Sequence, residues 1–111
     1  MLAKNAKNDV EAQGMIKSHI RDAVALCQFA AHLEEEIVNG AEDWTELSAS
    51  QLLMDYRSKQ DLFVMPSFTT IAAFGPNGAV IHYFPTNETN TKIDTSGLFL
   101  GTLLTLFDLK V

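Results

Sequence analysis

Among the side chains of this 111-residue chain, the imidazole of His82 has the neighbours best suited to chemistry. It follows Ala79-Val80-Ile81 and precedes Tyr83-Phe84, so a group that titrates near neutral pH sits in apolar surroundings. Such a ring can give or take a proton, but alone it does not make an enzyme. No phosphate loop, Cys/His metal cluster or Ser/His/Asp arrangement accompanies it in the sequence. From the residues alone, His82 is a hydrogen-bonded core or edge histidine more often than a functional one. His19 and His32 fall within a helical pattern and are expected to be surface or packing residues. Cys27, the single cysteine, excludes an intrachain disulfide and is expected to be a buried structural thiol, which fits a reducing compartment.

The element that must position His82 is a pair of apolar, β-prone runs around Gly75-Pro76-Asn77-Gly78. Asn77 and Gly78 tolerate positive φ and Pro76 presets a turn φ, so a β-hairpin is expected. Strand alternation would put Val80, His82 and Phe84 on one face and Ala79, Ile81 and Tyr83 on the other. Both faces are apolar, which calls for a sheet covered on both sides or lining a pocket.

Upstream, Asn8 with Glu11 three residues later has capping-box spacing, and Asn39-Gly40 makes a helix stop. Between them the rows Ile16, Ile20, Val24, Cys27 and Leu26, Ala30, Leu33, Ile37 recur at helical spacing. A helix of about 30 residues is about 45 Å long. A compact domain of this size has a radius of gyration near ~13 Å, so the helix must kink or pack on something larger. Ser48 with Gln51 marks a second helix carrying Leu52, Leu53 and Tyr56 and ending near Lys59-Gln60. Trp44 is expected to anchor the connection onto the core.

Glu34-Glu35-Glu36 and Glu42-Asp43 read as a solvated helix end and loop rather than a metal site. Residues from Pro85 to Thr95 make a polar loop, and Asn87-Glu88-Thr89 is a glycosylation sequon that would matter only in a secreted protein. The apolar run from Gly97 to Phe107 should pack as a strand or promote aggregation.

A net charge of −6 argues against nucleic acid and against anionic membrane surfaces, where a basic footprint is expected. An apolar share of 47% argues against disorder. No run approaches the ~20 apolar residues of a membrane span.

The order and spacing of several segments resemble the catalytic domain of aminopeptidase P (Xaa-Pro aminopeptidase). Glu11-Ala12-Gln13-Gly14-Met15 and His19 to Leu26 look like its opening helix; Trp44 to Ala49 and Tyr56-Arg57 are similar to its second. Ser67 to Ile71 followed by Gly75 to Tyr83 is the most specific match. The resemblance covers about Lys4 to Leu100. It implies an α+β fold class: a partial pita-bread fold of two helices, an antiparallel β-hairpin and a further strand. Residues 1–100 would be the N-terminal portion of a pita-bread catalytic domain and 101–111 a divergent apolar tail.

The family removes the N-terminal residue from Xaa-Pro peptides with two divalent metals, commonly manganese, held by two Asp, one His and two Glu. His82 matches its active-site histidine, a catalytic and substrate-binding group beside the metals. No metal ligand is expected in this chain. The family's Asp-Ser-Gly motif should follow Leu100, where Gly101-Thr102-Leu103-Leu104 stands instead. Asp94 precedes the strand and Asp108 has no partner ligand in the sequence.

The resemblance therefore implies a fragment of a metalloaminopeptidase, cytoplasmic, marginally stable and inactive alone. Proline-containing peptides would be partners once the other half is supplied, with a dimer among the assemblies. Two competing readings are a non-enzymatic truncated isoform or subunit-binding module, and a small α+β domain that binds a ligand near His82.

Overall fold

The computed structural model describes residues 6–101 and the backbone of residues 105–107. Residues 1–5, 102–104 and 108–111, including the candidate Asp108, lie outside the described residues.

Helix α1, Asp9–Val38, forms as its end signals require. Asn8 accepts from the Glu11 amide at 2.8 Å, and the Glu11 carboxylate accepts from the Asn8 amide at 3.0 Å. At the other end Gly40 takes φ +89°, and the Ala41 amide donates back to the Glu36 carbonyl at 2.9 Å. The longest dimension is 47 Å and the radius of gyration 16.0 Å, so a 30-residue helix does overreach the body it packs on. Of the two apolar rows, Leu33 is buried with Leu26 and Ile37 packed against the core, joined by Phe29 from outside the rows, whereas Ile16, Ile20, Val24 and Ala30 are exposed. Cys27 is exposed too, correcting the expectation of a buried thiol: it belongs to the row that faces away from the core.

Helix α2, Glu46–Ser58, starts two residues before the expected Ser48. Thr45 is its cap, and Ser48 is the reciprocal partner three residues in, not the start itself. The helix buries Ala49 and Leu53 against α1 and is clamped at its far end by Arg57. That guanidinium is 0% exposed; it donates to Asp22 on α1 at 2.9 and 3.3 Å and to the Thr70 hydroxyl at 3.3 Å. Trp44 packs on the core edge-on to His32, as an anchor should.

Among the described residues four short strands follow: β1, Phe63–Pro66; β2, Ala72–Phe74; β3, Phe99–Gly101; and β4, Thr105–Phe107. They form two antiparallel pairs, β1 with β4 and β2 with β3, the latter in the register Ala72↔Gly101 to Phe74↔Phe99. Part of the apolar C-terminal run is thus strand. The core gathers Phe29, Leu33, Ala49, Leu53, Phe74 and Ile93 between the helices and the β2–β3 pair.

The expected hairpin is redistributed. The antiparallel partner of β2 is β3, not residues 79–84, and Gly75–Ala79 is a single 3₁₀ turn opened by Pro76. Positive φ falls on Gly75 (+56°) and His82 (+57°), not on Asn77 or Gly78. The faces assigned by strand alternation do not exist, because Val80, Ile81 and Phe84 are exposed while Tyr83 turns inward. The physical cause is a polar claim on this loop that outcompetes strand pairing.

Candidate functional site

The claim is made by Glu46, the first residue of α2, which is 0% exposed. A helix N-terminus favours a carboxylate through its free amides and dipole, so the position suits the charge. The polar loop from Thr86 to Ile93 runs across the same helix end. The Glu46 amide donates to the Thr91 carbonyl at 3.0 Å, the Ile93 amide to the Trp44 carbonyl at 2.8 Å, and the Leu47 amide to Asn90 Oδ1 at 3.0 Å.

Four groups converge on the carboxylate. The Phe74 amide donates to Oε1 at 2.6 Å, and Asn77 Nδ2 donates to both oxygens at 3.0 and 3.2 Å. The Tyr83 hydroxyl donates to Oε2 at 2.5 Å, and the Thr91 amide to the same oxygen at 3.1 Å. Burial pushes the Glu46 carboxyl up, but donation from Tyr83, Asn77 and the two backbone amides outweighs it and holds the group below the usual 4.5. Burial, reinforced by the hydrogen bond to Glu46, raises the Tyr83 phenol above its ordinary 10.0, so it stays a neutral donor. Among the described residues every buried side-chain nitrogen and oxygen has a partner.

These four contacts span the ends and the middle of the segment that carries His82: Phe74 where it leaves β2, Asn77 in the turn, Tyr83 next to the histidine, and Thr91 where it returns. His82 itself is exposed and left-handed. Its ring lies 6.4 Å from that of Phe68, inclined by 54°. Phe68 also lines a cleft of about 640 Å³ between α2 and the segment before β2, together with Ser50, Gln51, Met54, Ser67 and Thr70. The imidazole therefore stands beside the cleft wall.

The other titratable candidates are elsewhere. His32 Nδ1 lies 2.9 Å from the Tyr56 hydroxyl, a packing role, and His19 is exposed on α1. Asp94 is exposed; donation from the Ser96 hydroxyl and amide holds its carboxyl below the usual range. Among the described residues no three His, Cys, Asp or Glu side chains gather closely enough to hold a metal ion.

The model of metallopeptidase family M24 matches residues 13–107. The chain belongs to metallopeptidase family M24. Xaa-Pro aminopeptidase ApepP of Drosophila melanogaster is 53% identical over 97 residues, covering 87% of this chain and 16% of that protein. Aminopeptidase P2 of Arabidopsis thaliana is 48% identical over 98 residues, 88% of this chain and 14% of its own. The crystal structure of X-prolyl aminopeptidase from Caenorhabditis elegans, described as a cytosolic enzyme with a di-nuclear active site, superposes with a TM-score of 0.84 at 41% identity. That match covers 89% of this chain and 16% of the other. The chain thus spans about one-sixth of the length of these relatives. The resemblance to Xaa-Pro aminopeptidase and the α+β, partial pita-bread class both hold.

A di-nuclear centre such as that neighbour's does not fit the described residues of this M24 chain, since no group of ligands is assembled among them. Reading the residues missed Glu46 and Arg57, although both lie in the segments that carry the family resemblance, Trp44 to Ala49 and Tyr56-Arg57. A carboxylate between a helix cap and two leucine-rich turns was the available signal.

Proposed function

We propose that this M24 chain supplies the N-terminal portion of an Xaa-Pro aminopeptidase catalytic unit, residues 1–100, and that His82 is its contribution to the active site. The imidazole would orient an Xaa-Pro peptide and stabilise charge developing on the scissile carbonyl. The two divalent metals, commonly manganese in such enzymes, would be held by ligands outside the described residues, so the chain alone would not hydrolyse peptide. Residues 101–111 would form a divergent tail. A cytoplasmic setting is supported by the description of the nematode neighbour as cytosolic, and no helix among the described residues is long and apolar enough to cross a membrane.

The observation that carries this reading is 53% identity across 97 residues to an Xaa-Pro aminopeptidase, joined to an exposed histidine held in a left-handed conformation beside a cleft. A second reading, a non-enzymatic module that binds another subunit, draws on the exposed row Ile16, Ile20 and Val24.

The test is a chimera in which this segment replaces its counterpart in the fruit-fly enzyme. The chimera should cleave Xaa-Pro peptides, and His82→Ala should lower its kcat/KM by roughly 10²-fold. A His82→Ala chimera working within about twofold of its parent would overturn the role assigned to His82.

A further inference from the structure

A non-glycine residue in the left-handed region persists only where its surroundings over-determine it. His82 takes φ +57°, yet the side chains of its neighbours Val80, Ile81 and Phe84 are exposed. Along the backbone two turn bonds flank it, from the Val80 amide to the Asn77 carbonyl at 3.1 Å and from the Tyr83 amide to the Val80 carbonyl at 3.2 Å. Neither bond reaches the body of the fold. What ties both to the body is the pair of side chains at their ends: Asn77 and Tyr83 both bond the carboxylate of Glu46, with further bonds from Asn77 to the Thr91 hydroxyl at 3.0 Å and from Tyr83 to the Thr89 carbonyl at 3.2 Å.

We propose that Glu46 is the positioning residue for His82: by accepting from Phe74, Asn77, Tyr83 and Thr91 at once, it fixes the loop that aims the imidazole. The inference rests on the substrate-facing role proposed for His82. A carboxylate is the side chain this junction requires. It offers only acceptor sites, and all four groups facing it donate. Glutamine would turn one oxygen into an amide nitrogen whose hydrogens point at donors. The Tyr83 hydroxyl already stands 3.2 Å from the Thr89 carbonyl, so its proton would turn there and its hold on residue 46 would be released, freeing the segment next to it that carries His82. The Thr91 amide has no such recourse among its described contacts, so the returning arm of the loop would loosen as well.

The arrangement separates two duties. Phe74 and Ile93, at the loop ends, belong to the apolar core and hold the fold, whereas Asn77 and Tyr83 act on the histidine's geometry. Glu46 serves the second duty from a place that touches no substrate, which makes it a positioning and not a catalytic residue.

The experiment is NMR on the full 111-residue chain, where no turnover is needed. In the parent chain, His82 should show the strong intraresidue amide-to-Hα cross-relaxation of a left-handed residue, with cross-peaks between its ring and that of Phe68. Glu46→Gln should lower both by more than half while the remaining amide spectrum stays dispersed. Leu33→Ala, which destabilises the core on α1, should leave both in place and so separates positioning from stability. The proposal is overturned if Glu46→Gln preserves the His82 signals, or if Leu33→Ala removes them to the same extent. A fully active His82→Ala chimera would instead remove the proposed function, and the NMR comparison would still decide whether Glu46 sets the geometry of residue 82.

Discussion

The ion pair between Arg57 and Asp22 offers a quantitative test of how this fold is held. Arg57→Met keeps the aliphatic stem that packs between α1 and α2 but removes the guanidinium, so the loss is almost wholly polar. The Asp22 carboxylate would lose two donors, at 2.9 and 3.3 Å, in a site where its side chain is 13% exposed. Breaking one partner of a buried pair costs about 3–5 kcal/mol. The residual access of water to Asp22 argues for the low end, about 3 kcal/mol. The Thr70 hydroxyl adds little, since a 3.3 Å bond to it is long. Asp22→Leu should cost a similar ~3 kcal/mol by stranding the guanidinium. The double variant replaces the pair by apolar groups and should lose at most about 3 kcal/mol in total, a coupling of at least about 3 kcal/mol. Urea unfolding reads this directly: with a slope of about 1.5 kcal/mol per molar, each single variant should move the midpoint by about 2 M, and the double variant by no more. A coupling below ~0.5 kcal/mol would refute the claim that the two charges depend on each other.

Acid should act through Glu46. Its folded pKa lies below the ordinary 4.5, so its stabilisation is complete above that value and is lost as pH falls through the folded pKa. The drop in urea midpoint between about pH 6 and pH 3 should therefore be smaller in Glu46→Gln than in the parent, and an equal drop would contradict the assignment. Gly97→Ala should destabilise by about 1–3 kcal/mol, because a β-carbon there would stand 2.9 Å from the buried Phe74 ring; thermal unfolding checks this.

Local signals fixed what local signals can fix. The α1 boundaries were legible because Asn8, Glu11 and Gly40 act on backbone groups within one turn of themselves. The periodicity of Ile16, Ile20 and Val24 announced an apolar face but said nothing of what covers it, and in this structure the row is exposed. The Gly-Pro-Asn-Gly run has the composition of a hairpin turn. Its outcome was decided by Glu46, which lies 31 residues before Asn77 and draws the Asn77 amide away from any strand register. Charged residues are by default solvated, so neither the burial of Glu46 nor that of Arg57 follows from local pattern. His82 was legible as a chemical candidate and through the family resemblance, but its left-handed backbone was not, since positive φ is rare for any non-glycine residue even though histidine is enriched there.

The most direct measurement is manganese binding together with Xaa-Pro hydrolysis by the purified chain, free of other peptidases. The purified chain should show no tight stoichiometric uptake of two ions and no turnover above background. Binding of two manganese ions with proline-second peptides cleaved at the rate of a complete M24 enzyme would contradict that expectation.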